Sequence, residues 1–209
     1  MEFISRKITE EDLKRIEASI KCEMSEKRFL HTLGVKKEIA VMGELFLPDK
    51  IRELQAAALL HDITKEYSFE KQLQLCEKFG IILDNVASEA LGVLHSKTGA
   101  HMAREKFPEL VSENIFNAIY RHTLGDAQMS LFDKLLFLAD FTEEGRTNSF
   151  CLELRAIFWN DFDALSEKER LKRVDEALLF SFDSTIKRLK EAGKPISRDT
   201  ISARNSLLS

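Results

Sequence analysis

His61 and Asp62 stand side by side, directly after Ala56, Ala57, Ala58, Leu59 and Leu60. Those five residues are good helix formers without a polar side-chain atom, so they read as buried helix. An imidazole beside a carboxylate in such a place must find partners, because an unpaired buried charge costs several kcal/mol or more. A metal ion satisfies both. If the helix continues, Lys65 lies four residues beyond His61 and three beyond Asp62, which adds a cation to the same face. An ordinary ion pair at a helix end is the competing reading of an isolated His-Asp dipeptide, and the other histidines decide between the two.

Four more histidines occur, at positions 31, 95, 101 and 122. His31, Val35, Ile39 and Met42 recur at steps of four, four and three on a helix expected from about 25 to 46, so His31 points inward. His95 falls at the start of a helix that ends before Pro108. His101, six residues later, faces elsewhere and reads as a surface group or a support behind a ligand. Ile115, Ala118, Ile119 and His122 share one apolar face. A capping box at Ser130 and Asp133 precedes an apolar helix, Leu135 to Ala139, that presents Asp140 at its end. His31, His61, Asp62, His95, His122 and Asp140 are thus six candidate ligands, separated by 30, 1, 33, 27 and 18 residues. A bundle of helices can fold such intervals back to one point.

The elements that must do so are helical throughout. Only three prolines and eight glycines punctuate 209 residues, and apolar residues recur at three- and four-residue spacing without sustained alternation. The expected fold is all-α, a compact bundle. Thr9 caps a first helix; Phe69, Leu73, Cys76 and Phe79 mark an amphipathic segment ended by Gly80; a helix around 151–159 precedes a longer one, about 167–192. The inner stripe of that last helix is expected at Leu171, Val174, Leu178, Phe182 and Leu189. One domain over 1–209 is the simplest division, with a C-terminal helical extension and a tail from about 196. Hydrophobic residues at 44%, charged residues at 32% and a net charge of -4 describe a soluble globular chain. They argue against a coat for nucleic acid or an anionic membrane. No apolar run approaches the ~20 residues of a membrane span, and three scattered cysteines without a Cys-x-x-Cys pair point to a reducing compartment, the cytoplasm.

The order of one His, a His-Asp pair and a later Asp resembles the HD-domain metal-dependent phosphohydrolases. More narrowly, Phe29 to Val35, Ala58 to Lys65, His95 to Ala100, Arg121 to Gly125 and Leu138 to Glu143 are similar to the successive motifs of the YqeK-like bacterial enzymes, which hydrolyse diadenosine tetraphosphate symmetrically. The likeness spans nearly the whole chain. It departs at Ser96 and Lys97, where the family usually has Gly-Pro, and near Glu144, where the family usually has a proline.

The resemblance implies His31, His61, Asp62 and Asp140 as primary metal ligands, with His95 and His122 facing substrate or holding a second metal that shares Asp62. Imidazole and carboxylate suit iron, manganese or zinc, and the resemblance favours iron. It further implies attack of a metal-activated water on the second phosphorus of the bridge, giving two molecules of ADP. Asp62 and Lys65 carry the catalytic expectation, and Lys65, Arg28 and Arg146 are the expected phosphate clamps. The partner is a small dinucleoside polyphosphate, not nucleic acid or membrane; a homodimer is open. Competing readings are an HD hydrolase of another nucleotide, such as a nucleoside triphosphate or cyclic dinucleotide, an oxygen-activating relative, and a nucleotide sensor without turnover.

Overall fold

The computed structural model describes residue 3, residues 5–82 and residues 91–208, with backbone alone at Leu91. Among these residues there are ten α-helices and no strand. Ser209, the end of the expected tail, lies outside the described residues.

Helix α1 (Glu10–Lys21) opens on Thr9, whose side chain accepts from the Asp12 amide while the Asp12 carboxylate accepts from the Thr9 amide, a full capping box. Helix α2 (Glu26–Phe46) is capped by Ser25 and ends two residues before Pro48. Helix α3 (Ile51–Leu60) is the apolar segment before His61, and it packs against α1 and α2. Leu54 and Ala56 through Leu60 are all buried, so α3 is the core element that carries the His-Asp pair.

Helix α4 (Phe69–Phe79) buries Gln72, Leu75 and Cys76, while Phe69 and Leu73 are 38% and 37% exposed. The expected apolar stripe is therefore rotated, because the Gln72 amide is drawn inward to the Thr64 carbonyl (2.5 Å) and accepts from Thr98 (2.5 Å). Gly80 closes α4 at φ +64. Helices α5 (Leu91–Lys106) and α6 (Glu113–Arg121) pack on each other, and α6 also packs on α3. Helix α7 (Leu131–Thr142) starts from the expected Ser130–Asp133 capping box and touches α2, α3 and α6. It runs past Ala139, so Asp140 lies inside its last turn.

Helices α8 (Ser149–Trp159) and α9 (Glu167–Glu191) pack together against α7. Val174, Leu178 and Phe182 are buried as expected, but Leu171 is 42% exposed; it lies in the second turn of α9, before the helix meets the core. Within the expected tail, residues Arg198–Ser206 form α10, which lies on α9. Thr200 donates from Oγ1 to the Leu124 carbonyl (3.0 Å), tying this helix to the loop that follows His122. No described helix is long and apolar enough to cross a membrane.

Candidate metal centre

Helix α3 stops at Leu60, so the expected continuation through Lys65 does not occur. Residues 61–66 are consecutive turns, with the Ile63 amide on the Leu60 carbonyl (3.2 Å) and the Lys65 amide on the Asp62 carbonyl (2.9 Å). Thr64 is the physical reason: its carbonyl accepts from Gln72 of α4, and its hydroxyl donates to the His95 carbonyl of α5 (3.0 Å). At Gly99, α5 comes within ordinary van der Waals reach of the His61 carbonyl, 3.4 Å from where a Cβ would stand. These bonds seat His95 beside the His-Asp pair. His95 is the fifth residue of α5, one turn inside the helix.

The fold brings all six candidate ligands together. His31 Nε2 lies 3.0 Å from Asp140 Oδ1 and 3.8 Å from Asp62 Oδ2; His61 Nε2 lies 3.3 Å from Asp62 Oδ2 and 3.7 Å from Asp140 Oδ1. On the other side, His95 Nε2 and His122 Nε2 lie 3.2 Å and 3.8 Å from Asp62 Oδ1 and 3.1 Å from each other. Asp62 is therefore shared by two groups of ligands. The sets His31, His61, Asp140 and His61, Asp62, His122 each bring their ligand atoms within 4.8 Å of one another.

The tautomers of three imidazoles follow from what lies behind them. Nδ1 of His61 donates to the Ala58 carbonyl (2.6 Å), Nδ1 of His122 to the Ile119 carbonyl (2.6 Å), and Nδ1 of His31 to Glu143 Oε1 (3.0 Å). In the neutral rings each Nε2 is then a lone pair aimed at the carboxylates. Lone pairs facing lone pairs repel. Consistent with that, His61 Nε2 and Asp62 Oδ1 are buried without a hydrogen-bond partner, although nitrogen and oxygen neighbours stand at ion-pair distance. Orphaned buried donors to a metal, made of imidazole and carboxylate, fit a divalent cation.

The electrostatics show the same demand for positive charge. Burial pushes the His61 imidazole down, but Asp62 and Asp140 more than reverse this and raise its pKa to about 10. Burial raises the Asp62 and Asp140 carboxyls, and the surrounding imidazoles, with Arg146 for Asp140, bring both well below the usual carboxylate range. His95 is lowered to about 4, by burial first and then by Lys65 and His122.

The three expected cations reach the cluster. Lys65 Nζ lies 3.1 Å from His95 Nε2 and 4.0 Å from Asp62 Oδ1, and burial lowers its pKa. Arg28 donates from Nη1 to Asp62 Oδ2 (2.6 Å). Arg146 donates from Nη2 to Asp140 Oδ1 (2.5 Å) and from Nε to the Asp140 carbonyl (3.0 Å). Arg28 and Arg146 both line an open cavity of about 460 Å³ that also contains His31. His101 is elsewhere: it is half-buried between the Phe79 ring, stacked at 5.1 Å, and the Phe116 edge at 5.0 Å. The reading of it as surface or ligand support is corrected to a member of an aromatic cluster.

Sequence reasoning gave Glu143 no role of its own, yet it is 3% exposed. Its Oε2 accepts from the Gly145 amide (2.6 Å) while Oε1 holds His31. A Cβ at Gly34 would lie 2.3 Å from Oε2, and one at Gly145 2.9 Å, so two glycines make room for this carboxylate. The absence of side chains at those two positions was the available signal. Also missed were Thr123, whose Oγ1 is 3.2 Å from His95 Nε2, and Arg155, which donates to the Thr142 carbonyl (2.6 Å) and to the carbonyls of Glu143 and Arg146.

The HD domain family matches residues 28–144, a span that holds every residue of the cluster except Arg146. A protein of Bacillus subtilis named bis(5'-nucleosyl)-tetraphosphatase, symmetrical, is 28% identical over 92% of this chain and 95% of its own length. One of the same name from Halalkalibacterium halodurans is 26% identical over 90% of this chain and 93% of its own. A crystal structure described as a predicted HD superfamily hydrolase involved in NAD metabolism, from Clostridium acetobutylicum, superposes with a TM-score of 0.79 at 31% identity, covering 93% of this chain and 96% of that one.

Proposed function

Because the chain belongs to the HD domain family, we propose that it is a metal-dependent hydrolase that cleaves diadenosine tetraphosphate symmetrically into two molecules of ADP. The observation that carries the reading is Asp62, with one carboxylate oxygen toward His31 and His61 and the other toward His95 and His122. The names of the relatives from Bacillus subtilis and Halalkalibacterium halodurans support the substrate.

In this reading His31, His61, Asp62 and Asp140 hold the primary metal, and His95 and His122 contact the phosphate chain or hold a second ion through Asp62. When bound, the metal supplies Lewis acidity that lowers the pKa of water and takes up charge from phosphoryl oxygen. Iron is the proposed ion, with manganese or zinc as substitutes compatible with the donor set. Lys65 places an ammonium group beside His95, where it meets the anionic bridge and stabilises charge that grows in the transition state. Arg28 and Arg146 hold phosphates from the open side, each with donors to spare beyond its carboxylate contact. Thr123 and Lys65 both approach the His95 ring and hold its orientation. The whole of 1–209 acts as a single unit, since α9 and α10 close the side of the bundle next to His122, and the chain works free in the cytoplasm.

The test is incubation of the anaerobically purified, iron-loaded protein with diadenosine tetraphosphate, beside His61→Ala and Asp62→Ala. ADP as sole product, lost in both variants, is the expected result. AMP with ATP would overturn the cleavage position. Nucleotide binding without release of any product, in metal-loaded protein, would overturn the hydrolase reading in favour of a sensor.

A further inference from the structure

Beside the cluster lies a second cavity of about 640 Å³, bounded by α7, α8, α9 and the chain before α10. Its volume lies in the range of small-ligand sites. Its floor is the buried rings of Phe137 and Phe182, each 2% exposed. Phe141 and Phe150 form the walls; both are half-buried, and they meet edge to face at 5.6 Å. Thr185 of α9 contributes a hydroxyl, and no described residue hydrogen-bonds to it.

Two links join this cavity to the chemistry. Thr123 lines it and also reaches His95 Nε2 (3.2 Å). Phe141 lines it and directly follows Asp140. The open cavity that His31 lines is different in kind: it presents Lys27, Arg28 and Arg146 and no phenylalanine, tyrosine or tryptophan. In a dinucleoside polyphosphate a ribose and two phosphates separate each base from the central anhydride. A substrate with its bridge at Asp62 thus needs an apolar, flat-walled space some way from the metal, and basic groups along the phosphates.

We propose that the cavity walled by Phe141 and Phe150 is the subsite for one purine base of the substrate, held by stacking and by burial against Phe137 and Phe182. Stacking on aromatic rings is sequence-tolerant, because every base has a π-face. Thr185 is the hydroxyl placed to bond the ring edge or ribose. This rests on the diadenosine reading for the identity of the substrate but not for the existence of the subsite.

The experiment is calorimetric titration of the metal-loaded protein with ADP and, separately, with pyrophosphate, which has the charge but no base. Wild type is expected to bind ADP more tightly than pyrophosphate. Phe150→Ala should weaken ADP binding on the order of 10- to 100-fold and leave pyrophosphate unchanged, and Phe150→Tyr should keep the preference. Thr185→Trp, which fills the cavity from α9 without touching the cluster, should abolish the preference while circular dichroism stays that of the folded bundle. Equal binding of ADP and pyrophosphate by wild type overturns the subsite. So does a preference for ADP that survives both Phe150→Ala and Thr185→Trp. If the preference is present and lost in both variants but diadenosine tetraphosphate is not hydrolysed, the subsite stands and the substrate assignment falls.

Discussion

Nδ1 of His31 and Oε1 of Glu143 meet at 3.0 Å across 112 positions of sequence. The carboxylate fixes the ring so that Nε2 faces Asp140, and it sits in the space left by Gly34 and Gly145. Glu143→Ala is expected to weaken metal affinity by roughly 10- to 100-fold, the usual cost of losing a carboxylate behind a ligating histidine. Glu143→Gln, which keeps an oxygen for the Nδ1 proton, should lose less. Gly34→Ala should behave like Glu143→Ala, because the new methyl group displaces the carboxylate. Competition against a chromophoric chelator measures all three.

Metal binding should also appear as stability. A cation that binds the folded cluster and not the unfolded chain adds about 2.7 kcal/mol at a free concentration 100 times its Kd. Thermal unfolding of wild type is expected to shift upward on adding iron(II) or manganese(II) and back on chelation. His61→Ala should show no such shift; a shift of wild-type size in that variant would place the metal elsewhere.

In the first turn of α1, the Arg6 guanidinium bonds first, and Thr9 next, hold the Asp12 carboxyl well below the ordinary value of 3.8 despite its burial. The unfolded chain binds a proton near pH 4 that the folded chain refuses, so stability rises with pH through this window. The contribution is complete above about pH 4 and is lost as pH falls through the folded value. Urea unfolding between pH 3 and 6 should show that slope in wild type and a flatter one in Asp12→Asn. Thr9→Ala, which removes the cap without removing the charge, is expected to cost about 1 kcal/mol at neutral pH.

His101 supplies the control. It contacts Phe79 and Phe116 and none of the cluster. His101→Phe should leave metal affinity and nucleotide hydrolysis within twofold of wild type; a loss comparable to that of His122→Ala would contradict its assignment to the aromatic cluster.

Much of the centre was legible because helical periodicity states which way a residue faces. His31 shares a stripe with Val35, Ile39 and Met42, and His122 with Ile115, Ala118 and Ile119; all six apolar residues are buried. Helix ends were legible from Thr9, Ser25 and Ser130, whose side chains can replace a missing backbone partner. What periodicity does not carry is loop geometry. Lys65 was expected on a continuous helix, and it reaches Asp62 instead through turns set by the tertiary bonds of Thr64. Glu143 was hidden because a charged residue in a polar stretch reads as solvated, and the space it occupies is left by Gly34, on a helix far away in sequence, together with Gly145 nearby. His101 was misjudged for a related reason, since its aromatic neighbours come from α4 and α6.

The bond from Thr200 to the Leu124 carbonyl has a temporal side. Ribosomes deliver a chain from its N-terminus, and the residues of the cluster are all present once Arg146 has emerged. The wall of the aromatic cavity contributed by Thr200 and its neighbours arrives more than fifty residues later. On the proposed reading, the candidate ligands and the stacking rings of Phe141 and Phe150 are synthesised well before the residues that close the cavity beside Leu124.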